Sequence, residues 1–600
     1  MARQGFFSLL LAVPLLANGA QSSNPQTWTS LSSISTATWN AFNATVAGRL
    51  HEGAPMLSPC YPSSHDPTKP LDAAQCTAEQ ELLLNSTLAS NEFPWYHNFV
   101  WSTCQASGAS CPIPSSPPSP KTSCAQGSIS PRYVEVRSVE DVQATLNFTR
   151  SHGLRLVIKN TGHDYKGRSS APESLALWTH PYQPPMQLLK NFTPEGCSAP
   201  TGDVIRFGAG QQFKGIYDFV HARGYRVVGG GCDTVGAAGG WITGGGHGLM
   251  ANELGLGVDN VQEIKVVLAN GTYATASRCQ NPDLFFALRG GGGGTFGVVM
   301  EMSTLVHPDR PMEVLNVSLT GLDPSSSAAT DLTALIIASA EGWAAEGWGG
   351  FVIPGLADYT LVIATALLNH TAAIASVQPV LDFARQFNHS VATLSSVAGF
   401  LDFMGPITSS PLLQMSEVSA AVSSRIIPRT SFQNTTSQAQ LAELITQLLG
   451  LNDTLQTSPS PQVEILLVAP ALYSQNLPRE DEFSGPGASS VTPAWRSGLW
   501  HLMHTRPIAS NMRDPELIRQ IWQSVSHALD PLRQFTPDSG AYQNEADPFE
   551  PDPISAFWGK ANYERLLRIK KAVDPENMFT VHQGVGWDRN DGRYQCYPDV

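Results

Sequence analysis

Charge is scarce in this 600-residue chain: Asp, Glu, Lys and Arg together make up 14% of it, and the formal net charge is -14 at pH 7. That balance excludes a basic face able to neutralise a phosphate backbone, and with it nucleic acid as a partner. Long apolar runs are also missing. Neither Phe6 to Leu16 nor any later stretch reaches the roughly 18 residues of a membrane span, so none is expected. G-K-[ST] and H-E-x-x-H do not occur, which removes P-loop phosphoryl transfer and the commonest zinc hydrolases; no metal is expected. There is no tandem repeat.

What is present begins with a short apolar run after Met1-Ala-Arg-Gln, closed by Ala17-Asn-Gly-Ala20. This pattern predicts a secretory signal over residues 1–20. Asn-x-Ser/Thr acceptors at Asn43, Asn85, Asn147, Asn191, Asn270, Asn316, Asn369, Asn388, Asn434 and Asn452 fit a secreted, N-glycosylated protein. The 9 cysteines are an odd set for an oxidising compartment, so one thiol is left over.

A hydrophobic content of 42% over this length points to two globular units sharing a cleft. Residues 21–125 are rich in Cys, Pro and Ser and read as a stapled N-terminal extension, with one helix pattern over Thr77 to Leu88. Residues 126–308 alternate short Val/Ile-rich strands with helices and glycine clusters, an α+β texture. Residues 309–533 carry helical runs at Ala328 to Glu346, Ala373 to Phe387 and Gln438 to Leu449, with strands such as Val463 to Leu467 between them. Residues 534–600 turn aromatic and polar again.

Three glycine-bearing segments carry chemistry. Leu154 to Ser169 is a strand running into a tight turn, where Gly162 lets the backbone approach a ligand and His163 stands at the tip. Gly229 to Gly248, followed by Leu254 to Asn260, has too many glycines for a helix or strand interior; its exposed amides suit a pyrophosphate or a flat ring. Asn281 to Val299 contains a formal G-x-G-x-x-G, but its glycines lead into a strand at Val298 rather than a helix, which excludes the Rossmann reading. A fourth segment combines Gly540-Ala-Tyr-Gln-Asn-Glu-Ala-Asp547 with Phe557-Trp-Gly-Lys-Ala-Asn-Tyr563.

These segments, in this order, resemble the vanillyl-alcohol-oxidase and berberine-bridge-enzyme family over about Arg132 to Pro308 and Gly540 to Gln583. The layout, with its Gly586 to Arg593 tail, looks most like fungal isoamyl-alcohol-oxidase-type members. The resemblance implies a PCMH-type FAD-binding domain over 126–308, completed by the return at 534–600, and a substrate domain over 309–533 made of an antiparallel sheet covered by helices. It implies FAD bonded to His163 and bound by Asn160, Thr161, Gly162, Asp164, Gly167 and Ser169. The second segment would contribute Thr234, Val235, Gly236, Gly239, Gly240, Gly244, Gly245, Gly246, His247, Gly248 and Asp259. Val298, Asn544 and Asn562 complete the expected set.

Cys232 stands where doubly attached members bond flavin carbon 6; the alternative is a disulfide or a buried thiol, and with that placement the odd cysteine count favours Cys232 as the unpaired one. The sequence departs from berberine-bridge enzymes in having Asp233 for their usual proline and one extra residue at Ala237-Ala238. Tyr542 and Glu545 are the candidate bases for an oxidation in which hydride passes to FAD and molecular oxygen takes the electrons, giving H2O2. Many relatives have tyrosine at the position of Glu545. Two other readings stand beside an oxidase of small alcohols: a biosynthetic dehydrogenase or cyclase acting on a secondary metabolite, and a secreted binding protein with a dead site.

Overall fold

The computed structural model describes residues 28–62, 71–114, 123–408, 419–451, 461–476 and 488–600. The expected signal segment, part of the Pro-Ser stretch and the Asn452 acceptor lie outside the described residues. The architecture is the expected two-lobed α+β fold.

The first lobe holds two sheets. In one, Arg132–Glu135, Ser174–Trp178 and Arg155–Lys159 run parallel, and Leu50–Glu52 adds an antiparallel edge. In the other, Gln187–Phe192, Gly202–Gly208, Val298–Leu305, Val261–Val267 and Tyr273–Ser277 are antiparallel in that order. The Cys-rich N-terminal stretch is thus built into this lobe: it supplies a strand, and Trp95 is buried against the turn that bears His163. The helix expected over Thr77 to Leu88 is two pieces, Ala73–Leu83 and Ser86–Ala89, because Asn85 starts a new turn by accepting from the Leu88 N–H.

Disulfides join Cys60–Cys76, Cys104–Cys596, Cys111–Cys124 and Cys197–Cys279, leaving Cys232 as the free cysteine. The Cys104–Cys596 bridge fastens the C-terminal end to the N-terminal stretch, and Tyr542, Phe557, Trp558 and Leu566 of the return are buried in the first lobe's core.

The second lobe is one seven-stranded antiparallel sheet in the order Ser390–Val397, Met312–Leu319, Tyr359–Thr365, Gly349–Ile353, Gln462–Leu467, Gly498–Pro507, Ala420–Pro428. Its two faces follow from the period of two along a strand. Leu315, Val317, Leu361, Ile363, Val463 and Ile465 are buried with the helices Ala328–Ala345, His370–Ala384 and Thr435–Leu449. Their alternating neighbours, among them Val314, Asn316, Val362 and Glu464, line a cleft facing the glycine loops. Among the described residues, no helix is long and apolar enough to cross a membrane.

Candidate active site

The cleft between sheet and glycine loops has a volume of about 1260 Å3, above the roughly 300–1,000 Å3 of an ordinary small-ligand pocket. There is room for a large cofactor and a substrate together.

The strand Arg155–Lys159 delivers the first loop. Gly162 has φ +88°, and a Cβ there would lie 2.6 Å from the Trp95 carbonyl oxygen, so only glycine fits. His163 stacks on His97 with ring centroids 4.3 Å apart, and its Nε2 lies 2.7 Å from Thr234 Oγ1. Burial, with His97 and the buried Lys159 nearby, holds the His163 imidazole well below its ordinary pKa, and burial pulls His97 down to about 4. A neutral imidazole keeps a lone pair for alkylation. Cys232 Sγ lies 3.5 Å from the same Thr234 hydroxyl and also lines the cleft, its thiol pKa raised by burial.

The glycine loops form the opposite wall. Gly231 and Gly240 line the cleft, and a Cβ on either would meet nothing within 4 Å, so their bare backbone borders open space. Gly236 and Gly239 instead press on the Asn160 amide, which donates to the Ala209 carbonyl, and the Gly236 N–H donates to Thr161 Oγ1. Gly293 of the third loop approaches Gly240 so closely that a Cβ would sit 2.9 Å from its Cα. Such a cradle of side-chain-free amides fits the pyrophosphate and flat ring system of FAD. Gly248→Ala would bring a Cβ to 2.0 Å from the Gly229 carbonyl oxygen. Backbone cannot yield there, so the variant should lose about 2–3 kcal/mol, read as a lowered thermal midpoint; an unchanged midpoint would contradict this packing.

At the inner end, Glu545 Oε2 accepts from His247 Nε2 at 2.8 Å and from His501 Nε2 at 2.9 Å. Burial works against the Glu545 charge, but the two imidazoles outweigh it and hold the carboxyl well below the usual carboxylate range. Tyr542 is buried, and its oxygen accepts from the Gly246 N–H and from Asn544 Nδ2. Burial and the Glu545 charge push its phenol above the ordinary value. Asn544 in turn accepts from Arg168, which is paired with Asp164.

Asn160, Thr161, Gly162, His163, Asp164, Ser169, Cys232, Val235, Gly236, Gly239, Gly240, His247, Gly248, Tyr542, Asn544 and Glu545 all line the cleft. Several expected ligands do not. Asp259 caps a helical turn at Leu256 and is paired with Arg496. Val298 points into the core behind the sheet, leaving its neighbour Val299 to line the cleft. Asn562 donates to the Val491 carbonyl. Gly167 packs on the Trp101 ring, Gly244 on Asn544, Gly245 on Tyr542 and Gly246 on the Trp241 ring. Sequence reasoning missed His97, Tyr165, Arg168, Glu464 and His501. For Glu464 there was a signal, an acid within the apolar alternation Val463-Glu-Ile-Leu-Leu467.

Fold and cleft together define a two-lobed flavoprotein. The family model described as an FAD binding domain matches residues 130–277, and that described as berberine and berberine like matches 541–586. The chain is 32% identical over 591 residues to the FAD-linked oxidoreductase ffsJ of Aspergillus flavipes, covering 91% of this chain and 92% of that protein. It is 31% identical to the FAD-linked oxidoreductase easE of Arthroderma otae, covering 93% and 88%. The solved VAO-type flavoprotein MtVAO615 of Myceliophthora thermophila C1 superposes with a TM-score of 0.79 at 26% identity, covering 94% of this chain and 98% of that one. MtVAO713 of the same fungus gives 0.82 at 25%, covering 95% and 99%. The chain belongs to the FAD-linked oxidoreductases of the vanillyl-alcohol-oxidase and berberine-bridge-enzyme family.

Proposed function

We propose that this is a secreted oxidase that holds FAD covalently through His163, takes hydride from a small organic substrate such as an alcohol, and passes the electrons to molecular oxygen to give H2O2. The observation that carries the reading is the convergence of His163 and Cys232 on one hydroxyl, that of Thr234, at the edge of the glycine cradle. A neutral imidazole and a cleft-facing thiol so placed suit one tether or two to the same ring. The bound flavin supplies the two-electron acceptor; the protein orients the substrate and manages its proton. Tyr542, held as a phenol, serves as a hydrogen-bond donor, and Glu545, occupied by two imidazoles, serves to fix His247 and His501.

Cleft size and lining favour a second reading. Val314, Phe351, Ile353, Val362, Phe403 and Met503 make the substrate side broad and apolar, which suits dehydrogenation or oxidative cyclisation of a bulky secondary metabolite. A peroxide-coupled screen of alcohols and sugars on the purified yellow protein tests the first reading, with H2O2 release expected. No peroxide with any of them, together with turnover of a polyketide or alkaloid intermediate, would transfer the conclusion to the second.

A further inference from the structure

The oxidation needs a group to take the substrate's proton, and neither residue singled out from the sequence suits the task. Glu545 accepts from two imidazole N–H groups on one oxygen and its carboxyl is held well below the usual range, which makes it a weak base, and Tyr542 is held in its protonated form. Glu464 is placed differently. It sits on the inner strand Gln462–Leu467, directly across from Met503, with its side chain on the face that lines the cleft. Among the described residues, no hydrogen bond or ion pair to its carboxyl is formed, and His247 is the one basic group whose charge acts on it, so its lone pairs are unspent.

We propose that Glu464 is the catalytic base of the oxidation, its carboxylate taking the proton from the hydroxyl or amine of a bulky, apolar substrate as hydride leaves the adjacent carbon for the flavin. This rests on the oxidoreductase reading of the cleft. In the step, the O–H or N–H bond breaks, its electron pair becomes the new double bond to carbon, and the proton ends on Glu464. The C–H pair leaves as hydride, so the substrate loses two electrons and the flavin gains two.

The surroundings tune Glu464 for this task. Burial, with the Glu545 charge added, pushes its carboxyl up to about 7, opposed by His247. Tyr165 from the His163 turn and His501 from the adjacent strand are the other titratable groups around this end of the cleft. The remaining neighbours Phe351, Leu466, Met503 and Thr505 carry no charge. A base poised near the working pH combines availability with driving force. Since the carboxylate is the active form, flavin reduction should rise with pH through about 7 and level off above it.

Two measurements on the holoenzyme test this. Infrared titration should show a protonated-carboxyl component that disappears around pH 7 in the wild type, beside that of the buried Asp547 at about 6; the first component should be missing in Glu464→Gln and move to lower pH in Glu545→Gln, where the neighbouring charge is lost. A band unchanged in Glu464→Gln would overturn the proposal whatever the substrate is. Anaerobic reduction by the alcohol that the peroxide screen selects should then slow by about 10²–10⁴-fold in Glu464→Gln and lose its acid limb. Flavin content should be unchanged, and Glu464→Asp should recover part of the rate. A wild-type rate and pH profile in Glu464→Gln would overturn it equally. Failure of the oxidase reading looks different: the wild-type flavin itself would stay oxidised with every alcohol tested.

Discussion

Replacing His163 by alanine is expected to have the largest consequence of any single change in the cleft. The peptide spanning residue 163 should no longer carry flavin, and any flavin still resisting acid extraction should be attached at Cys232 alone. In the double variant with Cys232→Ala, all of the flavin should be extracted. The physical ground is the environment of the imidazole: packed on His97, bonded to Thr234 and held neutral by burial, His163 presents a nucleophilic ring at the mouth of the glycine cradle. Losing an electron-withdrawing link should also lower the flavin potential. A fall on the order of 60 mV would put about 2.8 kcal/mol against hydride transfer in this two-electron couple. Residue 163 variants that keep flavin covalently bound after Cys232 is also removed would contradict the assignment.

The second large effect is expected at Glu545. In Glu545→Gln an amide oxygen takes the place of Oε2, which accepts from both imidazole N–H groups, so both bonds can form but neither is charge-assisted. Bonds to a charged group are worth about 1.5–3 kcal/mol against about 0.5–1.5 for neutral ones, so the variant should lose about 2–3 kcal/mol at neutral pH, with a lower thermal midpoint. The sign of the pH dependence follows from the depressed carboxyl. Its contribution is present above the unfolded value of about 4.5 and is lost as pH falls from there toward the folded one. The gap between wild type and Glu545→Gln should therefore narrow below about pH 4.5. Equal midpoints at neutral pH would show that the two imidazoles do not depend on this carboxylate.

The contrast between residues 163 and 464 shows what a single sequence can and cannot convey. Gly162 and the glycines from 229 to 248 announce themselves because left-handed turns and close backbone approaches are local demands that only glycine meets. His163 is legible by its place in that turn. His501 and His97 carry no such local mark, and Glu464 shows only as an acid within an apolar strand. What brings Glu464 to the cleft is which strand lies beside which, since it lies next to Met503 only because Gln462–Leu467 pairs with Gly498–Pro507; His501 reaches Glu545 from that second strand, and His97 comes from the N-terminal stretch to stack on His163. The same limit explains Asp259, Val298 and Asn562. Each stands close to a flavin-type motif in sequence, but strand alternation turns Val298 to the core, and Arg496 and the Val491 carbonyl take up the other two. The strand at Leu50–Glu52 was hidden by its short length within a Cys- and Pro-rich stretch.

The central claim is that this cleft holds FAD bonded to His163. Trypsin should release Asn160–Lys166 as one peptide and Val227–Lys265, which contains Cys232, as another. Tandem mass spectrometry of the wild-type digest should find the mass of FAD on the first, located at His163. An Asn160–Lys166 peptide free of flavin, from protein that is yellow when purified, would contradict it.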